Sequence, residues 1–223
     1  MKRTKILTFS AAALAISTLG GCVITDNSQV VSSVVSAPTE ISPIASTAAN
    51  LKEQPSGTYE IEPTHSKVFW RVTHMGFSNY TAALNKVSGT LNFDSANVTN
   101  SKVDITIDPN VVDTGNPAFD KEIADLFFET GKYPTIKFVS TSLVKTGDVT
   151  GSLTGNLTFH GVTKPVTLQV KFNGGKLHPM RGVQAMGFSA VGSFKRSDFG
   201  ADKYVPMVGD EVNLIIETEF LKK

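Results

Sequence analysis

The chain has 223 residues, 40% of them hydrophobic, with 21 basic and 20 acidic side chains and a formal net charge of +1. This balance, with no basic run and no Arg/Lys stripe, excludes an electrostatic nucleic-acid surface. A lone cysteine excludes an internal disulfide and any multi-cysteine metal site.

Lys2, Arg3 and Lys5 precede a short apolar run, Ile6–Leu19. The run is shorter than the roughly 20 residues a membrane-spanning helix needs, and its basic start marks a targeting segment. It ends in Leu19-Gly20-Gly21-Cys22. Leu, two small residues and Cys form the bacterial lipoprotein processing pattern, in which the thiol accepts diacylglycerol. Residues 1–21 are therefore predicted to be a lipoprotein signal peptide. Cys22 is predicted to be the lipidated residue that ties the protein to a membrane, since each buried acyl CH₂ contributes ~0.8 kcal/mol. Val23 stands where Asp would signal inner-membrane retention, so the expected location is periplasmic, on the outer membrane. Residues 22–56 are rich in Ser, Thr, Ala and Pro and hold no aromatic residue. They read as the lipidated N-terminus and a flexible linker. A short strand around Val30–Val35 is the alternative.

Residues 57–223 form the predicted domain, and period-two alternation runs through it. Ser66, Val68, Trp70, Val72 and His74 share one parity, against Lys67, Phe69, Arg71 and Thr73. Val87–Phe93, Lys102–Asp108 and Thr135–Thr141 follow, then Phe188–Phe194 and Val212–Phe220. Turn signals separate them, which points to an all-β barrel or sandwich. One segment differs. In 117–129, Phe119, Ile123, Leu126 and Phe127 have helical spacing, and Gly131 and Pro134 stop the run. A short helix closing one end of the barrel is expected there.

The stretch Val149–Phe172 reads as two strands joined by a tight turn, with Gly161 and Pro165 as punctuation. Leu153, Leu157 and Phe159 share the apolar face with Gly151 and Gly155. Glycine inside a strand marks a bulge, a bend or a close approach, so these two fit a curving strand or one that leaves room for a ligand.

Several ordered blocks carry a resemblance: Glu62-Pro-Thr-His-Ser-Lys-Val-Phe-Trp-Arg-Val-Thr-His-Met75, Asp113-Thr114, Leu-Thr-Gly-Asn-Leu-Thr-Phe-His-Gly-Val-Thr-Lys-Pro-Val166, Phe194-Lys-Arg-Ser-Asp-Phe-Gly200 and Val208-Gly-Asp-Glu-Val212. With them the chain resembles the YceI-like family, bacterial and mostly periplasmic proteins. The resemblance implies an all-β fold, a lipocalin-like eight-stranded antiparallel β-barrel with a short helix at one end. It also implies non-catalytic binding, transport or storage of a long-chain polyisoprenoid, such as an isoprenoid quinone or a polyprenyl lipid. This sequence has Glu122-Ile123 where the family usually carries a His-Leu pair.

In such a barrel the inward, ligand-facing residues would be Val68, Trp70, Val72, His74, Val103, Ile105, Ile107, Leu153, Leu157, Phe159, Leu168, Val170, Phe188, Phe194, Leu214 and Ile216. An isoprenoid tail offers nothing to hydrogen-bond, so an apolar tunnel suffices. Alternation alone does not separate a hollow barrel from a filled one. His65, His74 and His160 lie at no metal-ligand spacing, and no metal or cofactor is expected. His65 is read as satisfying backbone groups. His74 has inward parity and suits a contact to a ligand head group. Arg196 and Asp198 are read as an ion pair or turn contact, with head-group contact at the mouth as the alternative. Two other functions stay open: an enzyme of isoprenoid or quinone chemistry with His74 as acid/base, and a structural envelope lipoprotein with a filled barrel. The sequence leaves room for a homodimer.

Overall fold

The computed structural model describes residues 51–223; residues 1–50, and with them the predicted signal peptide, Cys22 and the Val30–Val35 stretch, lie outside the described residues. The described residues build β1 (Gly57–Ile61), β2 (Lys67–His74), β3 (Ser78–Leu84), β4 (Val87–Phe93), β5 (Lys102–Ile107) and the two-residue β6 (Val112–Asp113). After α1 (Pro117–Leu126) come β7 (Ile136–Lys145), β8 (Thr150–Phe159), β9 (Val162–Leu177), β10 (Gln184–Lys195) and β11 (Glu211–Lys222).

Every pairing between these strands is antiparallel. The order β1-β4-β5-β7-β8-β9-β10-β11 returns to β1, so eight strands close into a barrel. β2, β3 and β6 extend the sheet beyond β11. The last strand therefore serves two partners. Its C-terminal end pairs with β1 (Ile61 with Phe220), and its middle pairs with β2 (Trp70 with Leu214). Residues 62–66 turn between them. There the side chain of Glu62 caps a short 3-10 helix by accepting from the His65 amide.

The β8–β9 hairpin turns at His160 and Gly161, both at positive φ (50° and 77°), with Phe159 opposite Val162. Two successive positive φ values give a turn whose twist matches the flanking strands, and glycine takes one of them without strain. Pro165 is not in this turn. It lies within β9 opposite Asn156, before the point at Leu168 where β10 joins. Its missing N–H therefore falls where β9 has no neighbour on that side.

Three strands were not anticipated: β1, β3 and the two-residue β6. β1 is short, and β3 carries Thr81-Ala82-Ala83, residues with little alternation and, for Ala, low strand preference. Packing also begins ahead of residue 57. Leu51–Glu53 forms a 3-10 turn, and the buried Gln54 accepts a hydrogen bond from Gln184 Nε2 at 2.6 Å.

Helix α1 starts where its sequence says it should. Asn116 caps it by accepting from the amides of Ala118 and Phe119, and Pro117 supplies the pre-set first turn. It ends at Leu126, before Gly131 and Pro134. Ile123 and Ala124 are buried, whereas Leu126, which shares the helical spacing of Phe119 and Ile123, is exposed. A chain of rings fixes the helix to the wall: Phe119 edge-on to Tyr80 (5.7 Å), Tyr80 tilted against Trp70 (5.8 Å) and Trp70 edge-on to Phe128 (6.1 Å).

Candidate functional site: an apolar lumen

The barrel encloses a cavity of about 740 Å³. Its wall follows from strand alternation, because every second residue of each closing strand points inward. All the residues assigned to the interior from the sequence, from Val68 to Ile216, border this cavity. Their burial is informative. Val68, Val72, Ile107, Leu153, Leu157, Phe159 and Leu168 are buried, but Trp70, Val103, Ile105, Val170, Phe188, Phe194, Leu214 and Ile216 are only half-buried. A residue that points into a closed barrel and still keeps accessible surface faces empty space. The interior is hollow.

The two ends differ. At the end where β1 closes the ring, Tyr59, Phe172, Met186 and Phe220 pack together and are all buried. The Tyr59 hydroxyl donates to the Pro55 carbonyl at 2.6 Å, which holds the N-terminal segment against this base. Lys145, Asp148 and Thr150 of the β7–β8 hairpin border the cavity at that end. The opposite end is bounded by α1, the β2–β3 hairpin and the 200–209 loop, and there His74, Glu122 and Arg196 border it.

Arg196 organises that loop. It is buried and donates to four carbonyls: Ala201 (2.6 Å), Val208 (2.7 Å), Gly209 (2.9 Å) and Lys203 (2.9 Å). Burial pushes its guanidinium below the usual value, with the charges of Asp210 and Asp202 opposing the fall. It does not pair with Asp198, as one reading of the sequence had it; Asp198 instead lies 3.7 Å from Lys164. The guanidinium is spent on the backbone because the loop offers carbonyls at closer range.

The histidines also find their places. His74 borders the opening of the cavity and is exposed. Among the described residues no hydrogen bond engages its ring. His65 pairs with a carboxylate rather than with backbone, its Nδ1 2.8 Å from Glu62 Oε2. Glu62 is buried, and its other oxygen accepts from Arg181 at 2.7 Å. Burial alone would raise the Glu62 carboxyl. Hydrogen bonds from the His65 amide and ring and from Thr64, with the Arg181 charge, hold it below the usual carboxylate range. His160 packs on Tyr133 with centroids 4.3 Å apart and lies 3.4 Å from Glu129. No cluster of His, Cys, Asp or Glu that suits a metal ion exists among the described residues.

The inward glycine of the central strand has a definite use. A Cβ on Gly155 would stand 2.4 Å from the Phe138 ring. The space therefore admits a neighbouring side chain rather than a ligand. On β7 a bulge at Thr141 lies across from it, and the buried Ser140 hydroxyl accepts from the Val103 amide at 2.8 Å, which the irregular ladder would otherwise leave unpaired.

Sequence reasoning missed part of the wall. Phe138 and Phe220 share the inward parity of predicted strands and were within reach of the same argument. Met75, Tyr204 and Met207 at the opening were not, because turns and loops carry no period.

The YceI-like domain profile matches residues 59–220. The chain belongs to the YceI-like family. Protein YceI of Salmonella arizonae is 40% identical over 159 residues, covering 71% of this YceI-like chain and 82% of that protein. BcnA of Burkholderia cenocepacia superposes with a TM-score of 0.64 at 26% identity, covering 71% of this chain and 98% of that one. A polyisoprenoid binding domain from Saccharophagus degradans, implicated in plant cell wall breakdown, shares the YceI-like fold with a TM-score of 0.59 at 15% identity, covering 74% and 98%.

Proposed function

We propose that this domain binds a long-chain isoprenoid lipid, a quinone or a polyprenyl compound, without catalysis, and carries or stores it in the periplasm. The observation that carries this reading is the hollow apolar lumen. At roughly 30 Å³ per heavy atom in a condensed phase, 740 Å³ holds about 25 non-hydrogen atoms, or about five isoprene units. Each unit withdrawn from water contributes up to roughly 3–4 kcal/mol before ordering costs. A saturated or isoprenoid hydrocarbon needs no polar partner, and this wall supplies few. The polar groups at the open end, His74, Glu122 and Arg196, lie where a head group would stop. The fold shared with a domain described as binding polyisoprenoids supports the same class of ligand. In this reading residues 1–21 are a signal peptide and Cys22 is acylated, so the barrel works beside the outer membrane.

The test is native mass spectrometry of the purified protein followed by organic extraction. A co-purifying isoprenoid is the expected result. An empty barrel that also fails to quench Trp70 emission on addition of an isoprenoid quinone would sink the proposal. Turnover of the added compound, lost in His74→Ala, would replace it with the enzyme reading.

A further inference from the structure

The open end carries an exposed apolar rim. Phe77 is 86% exposed, Met207 56%, Met75 52% and Tyr204 48%. They sit on two different segments that the backbone holds side by side. The Met75 amide donates to the Met207 carbonyl at 2.7 Å, and the Gly209 amide to the Thr73 carbonyl at 2.8 Å. Tyr204 in turn meets Phe127 at the end of α1, ring centroids 5.9 Å apart. The rim is thus continuous from hairpin to loop to helix. It is also fixed, because Arg196 ties the loop through four carbonyls. Apolar side chains held outward on a rigid frame are a contact surface and not a frayed loop.

We propose that this rim docks on a phospholipid bilayer and that the hydrophobic ligand passes between bilayer and lumen across it. The inference rests on the reading of the lumen as a lipid site. Met75, Tyr204 and Met207 border the cavity as well as solvent, so the rim continues directly into the lumen. The far end is narrowed by the packed Tyr59, Phe172, Met186 and Phe220 and is edged by the polar Lys145, Asp148 and Thr150. A long hydrocarbon that entered through the polar wall would have to cross water, whereas a rim sunk into the acyl boundary gives it an apolar path. The charges beside the rim are mixed: Lys203 lies 5.6 Å over the Tyr204 ring, with Asp202 next to it and Glu122 on the helix. Docking is therefore driven by apolar insertion and depends little on salt or on anionic lipid.

The tether permits the required orientation. Leu51 packs with the base, so the described chain enters at the end away from the rim. From Cys22 to residue 50 the chain adds 28 residues. Fully extended at about 3.3–3.6 Å each, they span up to roughly 100 Å. That exceeds the length of the barrel, whose longest strand has 16 residues and rises about 3.4 Å per residue. A chain anchored at Cys22 can turn its rim back to the same membrane.

The test uses the full chain with vesicles of phosphatidylethanolamine and phosphatidylglycerol, a fraction of the lipid carrying nitroxide on the acyl chain. A fluorophore placed through Phe77→Cys should be quenched by the nitroxide, and one placed through the exposed Val144→Cys at the opposite end should not. Phe77→Asp, at an exposed position that does not border the cavity, should slow quinone uptake from vesicles at least 10-fold, read as Trp70 quenching. The same variant should bind the quinone in detergent as the wild type does. Equal nitroxide quenching of the two labels, or vesicle uptake at the wild-type rate by the Phe77→Asp variant, overturns the docking proposal. Loss of quinone quenching in detergent by the wild-type protein overturns the lumen reading instead, and the label comparison still decides whether the rim meets lipid.

Discussion

Ala190→Phe separates a lumen from a core. Ala190 sits at the middle of β10, between Val170 and Ile216 on the neighbouring strands, and borders the cavity. The change adds six carbon atoms. At roughly 30 Å³ each they take up about 180 Å³, a quarter of the 740 Å³ available. In a filled core such an insertion costs about 1–3 kcal/mol, because neighbours must leave their rotamers. In a hollow barrel the ring enters empty space, and its burial contributes up to roughly 2 kcal/mol. Urea unfolding followed by circular dichroism should therefore show a stability unchanged or raised by up to ~2 kcal/mol. The ligand should respond in the opposite sense. Capacity falls from about 25 to about 19 heavy atoms, so a quinone with a two-unit tail should bind within twofold of wild type. One with a five-unit tail should bind at least 10-fold more weakly, since a displaced unit forfeits up to roughly 3–4 kcal/mol. Trp70, which faces the lumen between Tyr80 and Phe128, reports both titrations. A variant that loses more than about 1 kcal/mol and binds the long quinone unchanged would show that the interior is packed and that the ligand sits elsewhere.

Three further perturbations probe the frame. Gly155→Leu should destabilise the barrel by about 1–3 kcal/mol in urea unfolding, and Phe138→Ala in the same chain should recover part of that loss by vacating the contested space. Arg196→Ala leaves four loop carbonyls without their donor; a loss of at least about 3 kcal/mol is expected, with faster amide exchange confined to residues 200–209. Glu62 has a lowered carboxyl pKa, so the unfolded chain binds its proton more readily than the folded one. Its stabilisation is present above the ordinary glutamate value of about 4.3 and is lost as pH falls through the lower folded value. Glu62→Gln should be less stable at pH 7 and show a shallower loss in acid, read as the difference between the two denaturation curves across pH 2–7.

Much of this site was legible before any coordinates because a barrel wall obeys a two-residue period. That period places Leu157 and Phe159 on β8, Leu168 and Val170 on β9, and Leu214 and Ile216 on β11 inside without reference to neighbours. What the period leaves out is the distance across the barrel, so the empty centre appears only in the half-burial of Val103, Ile105 and Phe188. Aperiodic segments were opaque for a different reason. The positions of Met75, Tyr204 and Met207 depend on which carbonyls Arg196 reaches, and that is a property of loop conformation rather than of spacing. Leu126 shows the reverse case: it shares the helical spacing of Phe119 and Ile123, yet it is the last residue of the helix and is exposed. The N-terminal assignments, signal peptide and Cys22 included, fall outside the described residues and rest on the sequence pattern alone.

The division of β11 between two partners has a consequence for how such a barrel can diversify. Its C-terminal residues complete the sealed ring with β1, and its middle supports β2, β3 and, through them, the hairpin at the opening. Closure and aperture are thus assigned to separate stretches of hydrogen bonding. Insertions or exchanges in the hairpin, the 200–209 loop or α1 leave the ladder between β1 and β11 untouched. A base that is insulated in this way from its rim can be fitted with rims of different width and polarity, and grafting the rim segments of one relative onto the base of another should change which lipids enter while the melting behaviour of the base stays the same.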